Sequence, residues 1–187
     1  MPGPGELGGL EADLKKQLDK GVAQAARDPF QFGFTWAAWD TTTHGAGLSV
    51  MASEYDELTA TRTYADWSGR WLANILGTNA WGLSFIVGDG ARFPNCLQHQ
   101  VANLVGHLDG TPPVLAGAAV EGPNKAAPKG AVSGMIACPT NGVDVYAQFN
   151  GAAEFQDNMQ SYDNTEPAVD LTASSPLAFA RQAAGKW

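Results

Sequence analysis

Leu10, Leu14, Leu18 and Val22 recur at four-residue spacing, which predicts an amphipathic helix over residues 6–27. Asp28-Pro29 ends it, because a residue before proline avoids the helical region. A second helix is expected over Gly45 to Thr59, with Leu48, Met51 and Ala52 on one face. A third runs from Thr63 to Leu76; Thr63 or Asp66 is placed to cap its start, and Gly77 follows its end. Gln98 to Leu108 carries a weak helical pattern. Residues 109–142 are too punctuated by proline and glycine for a helix and read as a long loop. Val143 to Phe155 reads as a helix or helical turns, and Pro176 to Gly185 as a last helix with Pro176 near its first turn. The pattern is all-α, with helices separated by loops long enough to carry function.

Length and composition narrow this picture. A chain of 187 residues is one domain or a piece of one. The net charge is −8, from 19 acidic against 11 basic residues. That balance speaks against nucleic acid and against anionic lipid as partners, both of which need basic faces, and suits a neutral polysaccharide. No run of about 20 apolar residues is present to cross a membrane, and the start MPGPGELGGL lacks the basic and apolar regions of a signal peptide. Cys96 and Cys138 are the only cysteines; they form either one disulfide or two separate buried thiols, and their spacing fits no metal motif. Of the six tryptophans, Trp67 and Trp71 stand four apart on a predicted helix and read as core. Trp36 and Trp39 lie in a short irregular stretch, where a ring can face a sugar groove.

The chemistry concentrates in residues 155–173, FQDNMQSYDNTEPAVDLTA. Phe155 precedes Asp157 by two residues, Tyr162 follows it by five, and Glu166 comes four later, ahead of Ala168 and Thr172-Ala173. Carboxyl groups beside flat aromatic faces are what a sugar-cleaving site needs: the acids move protons and the rings stack on sugar. A second pattern runs from Leu76-Gly77-Thr78-Asn79 through Gly82-Leu83-Ser84-Phe85, Gly88, Gly90 and Arg92 to Gln98-His99-Gln100. A third, weaker one is Gly122-Pro123-Asn124.

Together these resemble glycoside hydrolase family 9, the inverting cellulases. The family's C-terminal signature is matched at every position except an Asn, which is Thr172 here. Its Leu-Gly-x-Asn-Pro-x-Gly helix end, its Ser-aromatic-Val turn and its Gly-Gly-Pro-Asn loop are also similar to this chain, and Trp36 falls on its Trp-Gly-Ser-Asn element. The likeness covers roughly residues 20–182. It departs at the Pro-His-His-Arg loop end, where the family's active-site His falls on Gln98, the middle His on His99, and the Arg on Gln100. Glutamine is neutral, so substrate hydroxyls there receive weaker, uncharged hydrogen bonds. His99 either takes over by a one-residue shift or is a structural loop histidine.

The resemblance implies an (α/α)6 barrel, of which residues 1–187 supply the C-terminal half as a single unit. It implies Glu166 as the general acid for β-1,4-glucan hydrolysis, its acidity weakened by apolar neighbours. Asp157 is the second catalytic-signature acid, orienting the loop or a substrate-binding group. Tyr162, Gln98, His99, Gln100 and Trp36 would bind β-glucan or cello-oligosaccharide. No metal or cofactor is required, and the parent enzyme would be secreted. The family's base, in an Asp-Ala-Gly-Asp motif, has no counterpart in this sequence. The expected partner is therefore the missing N-terminal half of the catalytic domain. The alternatives are a carbohydrate-binding or structural remnant of the same fold that does not cleave, and a helical interaction domain unrelated to sugars.

Overall fold

The computed structural model describes residues 4–105, 115–130 and 133–186. Among these, six helices carry the regular structure: α1 (Pro4–Ala25), α2 (Thr41–Thr59), α3 (Ala65–Ile75), α4 (Gln100–Val105), α5 (Tyr162–Thr165) and α6 (Val169–Ala183). No strand occurs among the described residues, and four isolated antiparallel bridges join the loops. The chain is all-α, as its periodicity predicts. No described helix is long and apolar enough to cross a membrane.

α2 is the central helix and packs on α1, α3 and α6. Its buried face is built from Gly45, Ala46, Ser49, Ala52 and Ser53, side chains small enough for neighbouring helices to approach closely. Ser68 of α3 seals one contact by donating from Oγ to the Ser49 carbonyl at 2.8 Å. Leu18, Phe32, Tyr55, Tyr64 and Trp71 fill the space between α1, α2 and α3. Trp71 is fully buried and stacks on Trp67 at 5.8 Å, so this pair belongs to the core as expected.

A second apolar cluster lies between the helices and the loops. Trp81, Leu83, Phe85, Val87, Val120 and Phe155 form it together with Ile75 of α3. The loops thus supply core as well as surface. Cys96 and Cys138, 42 positions apart in sequence, are joined by a disulfide with Cα atoms 5.3 Å apart, which closes the choice left by the sequence.

Several boundaries differ from expectation for identifiable reasons. α2 starts at Thr41, ahead of Gly45, because the Thr41 and Thr42 hydroxyls bond the carbonyls of Pro123 and Glu121 and hold this end in place. Neither Thr63 nor Asp66 caps α3; the Tyr64 N–H bonds Asp56 Oδ2 at 2.8 Å instead. The expected helix over Val143–Phe155 is reduced to a 3-10 turn at Ala147–Phe149. Side-chain oxygens of Asn141, Asp144 and Asn150 accept the N–H groups of Val143, Tyr146 and Phe155, offering the backbone an alternative to a helical ladder. α6 begins at Val169, and Pro176 lies inside it, not in its first turn. Leu171 is buried and draws the earlier residues into the helix. Gln98–Leu108 is helical over Gln100–Val105; its last residues, and 109–114 and 131–132 of the long loop, lie outside the described residues.

Two glycines give opposite expectations. A Cβ on Gly33 would lie 2.6 Å from the Trp71 ring, whereas one on Gly47 in α2 meets nothing within 4 Å. Gly33→Ala is expected to lower stability by roughly 1–3 kcal/mol through overpacking. Gly47→Ala is expected to raise it by up to about 1 kcal/mol through helix propensity. Urea unfolding followed by tryptophan fluorescence reads both, and equal effects would contradict the packing described here.

Candidate active site

The signature segment is organised by Asn164, which is fully buried. Its amide nitrogen donates to the Gly122 carbonyl at 2.9 Å and to the Glu154 carbonyl at 3.3 Å. Its Oδ1 accepts the Gln156 N–H and the Ser161 hydroxyl, each at 3.0 Å. One side chain thus ties the loop before the signature, the Gly122-Pro123-Asn124 loop and α5 into one unit. Glu166 follows the last turn of α5 in an extended conformation, with its N–H bonded to the Tyr162 carbonyl at 3.3 Å. Its side chain is exposed. α5 ends one residue before it, leaving the carboxyl to project from the surface.

Three features border Glu166. The Gln98 N–H bonds the Thr165 carbonyl at 3.2 Å, which brings the loop end with the substituted residues beside the acid. Tyr162, half-buried, stacks against Trp39 with ring centroids 6.1 Å apart and planes 27° from parallel; Trp39 is 52% exposed and offers an open aromatic face. On the remaining side the Glu121 N–H bonds the Glu166 carbonyl at 3.2 Å, next to the Val120–Pro167 bridge.

The other predicted residues sit farther back. Asp157 is buried and accepts the N–H groups of Asn95 and Cys96, at 3.0 and 2.8 Å, so it holds the loop that leads to Gln98. Its carboxylate orients backbone and does not face solvent. His99 accepts the Ala102 N–H at Nδ1, 3.2 Å away, and so caps α4. Gln100 is exposed in the first turn of α4. Trp36 is not part of this group: its indole N–H bonds Asp28 Oδ2 at 2.8 Å and its ring stacks on Phe32 at 4.1 Å. It lines a separate cavity of about 310 Å³ with Asp28, Trp81 and Phe149. Between the two tryptophans of the irregular stretch, Trp39 is the one beside Tyr162.

Burial has acidified nothing here; it has done the reverse. Loss of solvent pushes the Asp157 carboxyl up to about 6, against the pull of its two N–H partners. Asp163, buried on α5, is likewise pushed up to about 6 by burial. Glu121 is raised to about 7, first by burial, against the pull of the Asp40 N–H, with smaller upward contributions from the carboxylates of Asp40 and then Glu166. The Asp40 N–H bonds Glu121 Oε2 at 3.0 Å, with Asp40 in the left-handed region at φ 57°. Among the described residues no group of three or more His, Cys, Asp or Glu side chains is arranged to hold a metal ion.

A sequence model described as "Glycosyl hydrolase family 9" matches residues 12–179. The chain belongs to this family. No curated protein matches it by sequence. Its fold is similar to a metagenome-derived glycoside hydrolase family 9 endoglucanase, with TM-score 0.70 and 19% identity over 96% of this chain and 29% of that one. It is similar to AaCel9A in complex with cellobiose-like isofagomine, with TM-score 0.68 and 19% identity over 94% and 31%. A Bacteroides ovatus family 9 structure gives TM-score 0.63 and 22% identity over 91% and 27%. The chain therefore spans less than a third of the length of these structures, and its helices correspond to part of their (α/α) barrel.

Of the residues gathered here, Glu121 and Asp40 are the ones the sequence did not single out. Glu121 stands where the Gly-Gly-Pro-Asn loop has its first glycine, and Trp39 and Asp40 lie where the Trp-Gly-Ser-Asn element ends. Thr172, in place of the signature Asn, accepts the Ala119 N–H at 3.1 Å and donates to the Ala168 carbonyl at 2.8 Å. Departures that meet at one place were the available signal.

These carboxyls link stability to pH. Their folded values lie above the ordinary carboxylate range, so from about pH 4 to pH 6–7 the folded chain keeps protons that the unfolded chain has released. Stability is then highest at the acid end, falls as pH rises through the window, and levels above it. Thermal unfolding from pH 4 to pH 7 is expected to show a declining melting temperature, with a shallower decline in Asp157→Asn. A melting temperature that rises across the window would contradict the burial account.

Proposed function

We propose that this chain carries the acid side of a β-1,4-glucan-cleaving site, with Glu166 as the general acid of an inverting mechanism. The observation that supports this most is that Glu166 follows Tyr162 by one turn, with the Tyr162 ring stacked on the exposed Trp39, at the family's signature segment. An exposed aromatic face takes the apolar side of a pyranose ring, and a carboxyl beside it is within reach of a glycosidic oxygen. Gln98, half-buried beside Thr165, offers a neutral donor and acceptor to sugar hydroxyls. Asp157 acts through the backbone by fixing Asn95 and Cys96.

Inversion needs a second carboxylate that activates water from the opposite face, roughly 6.5–9.5 Å away. No Asp-Ala-Gly-Asp motif occurs in these residues. The base in this reading comes from barrel segments outside this chain, which serves as the C-terminal part of a catalytic domain. Its parent acts outside the reducing cytosol, a reading supported by the Cys96–Cys138 disulfide. Cello-oligosaccharide is the proposed ligand, in keeping with the cellobiose-like compound bound to AaCel9A. A second reading, a saccharide-binding remnant that does not cleave, is favoured by Gln98 and Gln100 at the family's His and Arg positions.

Calorimetric titration with cellotetraose and hydrolysis of carboxymethyl cellulose test this, with Trp39→Ala and Glu166→Gln as variants. The expected result is binding by the chain, weakened about tenfold by Trp39→Ala through lost stacking, without turnover. Turnover abolished by Glu166→Gln would show that a base lies within these 187 residues and would overturn the absent-base part of the reading. Absence of any binding would overturn the assignment of a sugar site.

A further inference from the structure

We propose that Glu121 and Glu166 form a cross-strand carboxyl pair in which Glu121 is a positioning residue that governs the charge next to the acid. The proposal rests on the reading of Glu166 as the acid and adds a residue that the family pattern does not supply.

The geometry comes from the chain's short antiparallel pairing. Val120 bridges Pro167, and on the next rung the Glu121 N–H bonds the Glu166 carbonyl at 3.2 Å. Residues opposite each other across an antiparallel pair point to the same face, with Cβ atoms about 4.5–5.5 Å apart. Val120 is fully buried, so that rung faces the core. The alternation of side chains then turns Glu121 and Glu166 together to the outer face. Two carboxylates in that relation repel, and a proton on one relieves the other.

Glu121 is held in place for this. Its Oε2 accepts the Asp40 N–H at 3.0 Å, and the left-handed Asp40 is fixed at the start of α2. The charged and titratable groups around Glu121 are Asp40 from the segment before α2 and Glu166 from the end of α5. His44, in the first turn of α2, bonds the Asp40 carbonyl through Nδ1 at 2.8 Å. Among the described residues no lysine or arginine forms an ion pair with Asp40, Glu121 or Glu166. With no such pairing among the described residues, the half-buried Glu121 is the member least able to stay charged. Burial, with smaller contributions from its two acidic neighbours, lifts it to about 7 against the opposing pull of the Asp40 N–H. Electrostatic interaction is mutual, so protonation of Glu121 changes the field at the Glu166 side chain.

The test is a carbon-detected NMR titration of the Glu121 carboxyl in the chain labelled at glutamate, without sugar. Wild type, Glu166→Gln and Asp40→Asn are compared, with chemical-shift maps confirming the fold. Glu121 is expected to titrate near 7 in the wild type. Its midpoint is expected to move down by roughly half a pH unit or more when Glu166→Gln removes the opposing charge. Asp40→Asn, on the other flank, gives a second downward shift. A Glu121 midpoint unmoved by Glu166→Gln would overturn the pair, and so would an ordinary carboxylate midpoint in the wild type. Because no ligand or turnover enters the readout, failure to bind or cleave glucan leaves this result standing, and failure of the pair leaves the glucan reading to its own test.

Discussion

The buried amide of Asn164 is the constraint on which the site depends. It bonds backbone on Gly122, Glu154 and Gln156 and the hydroxyl of Ser161, so four points of three segments are fixed by one side chain. No described strand or long helix runs through this region to satisfy its backbone. A buried amide that satisfies several such groups replaces a regular ladder, and removing it would leave each of them unpaired in a dry setting. The short pairing of 120–122 with 164–167 follows from this anchor. So do the extended conformation of Glu166 and the approach of Glu121 to it.

The same logic recurs upstream. Asn79 donates to the carbonyls of Asn74 and Leu83 and accepts from Trp81 and Leu83, turning the chain after α3. Asp157 does the corresponding work for Asn95 and Cys96. These carboxyls and amides are buried because irregular backbone must find partners when it supplies core, and the weakened acidity of Asp157 and Asp163 is the electrostatic consequence. The aromatic cluster of Trp81, Phe85 and Phe155 packs against loops that are rigid through such bonds.

What could be read beforehand follows from which interactions are periodic. Helices α1 to α3 were legible at the level of existence, since burial of one stripe repeats along the sequence, although the buried face of α2 is made of small residues and the expected Leu48 and Met51 are only half-buried. The start of α6 was hidden by Pro176, which suggests a first turn but sits deep in the helix. The 143–155 segment misled because its Asn and Asp residues look tolerable in a helix until their side chains are seen bonding their own backbone. The family itself was legible as a resemblance, through the segment that holds Glu166 and Tyr162. The two tryptophans of the irregular stretch part company in the fold: the Trp36 N–H is taken by Asp28, and Trp39 reaches Tyr162. Glu121 and Asp40 were invisible because the contacts of Glu121 with Asp40 and with Glu166 are tertiary pairings between residues far apart in sequence.

The central claim is that a sugar is held at Glu166, over the Trp39–Tyr162 stack. A crystal structure of Glu166→Gln soaked with cellotetraose tests it most directly. The account expects a pyranose ring against the Trp39 face with a glycosidic oxygen at hydrogen-bond distance from the residue 166 side chain. Sugar seated instead in the cavity lined by Trp36, Trp81 and Phe149, with the Trp39 face bare, would contradict it.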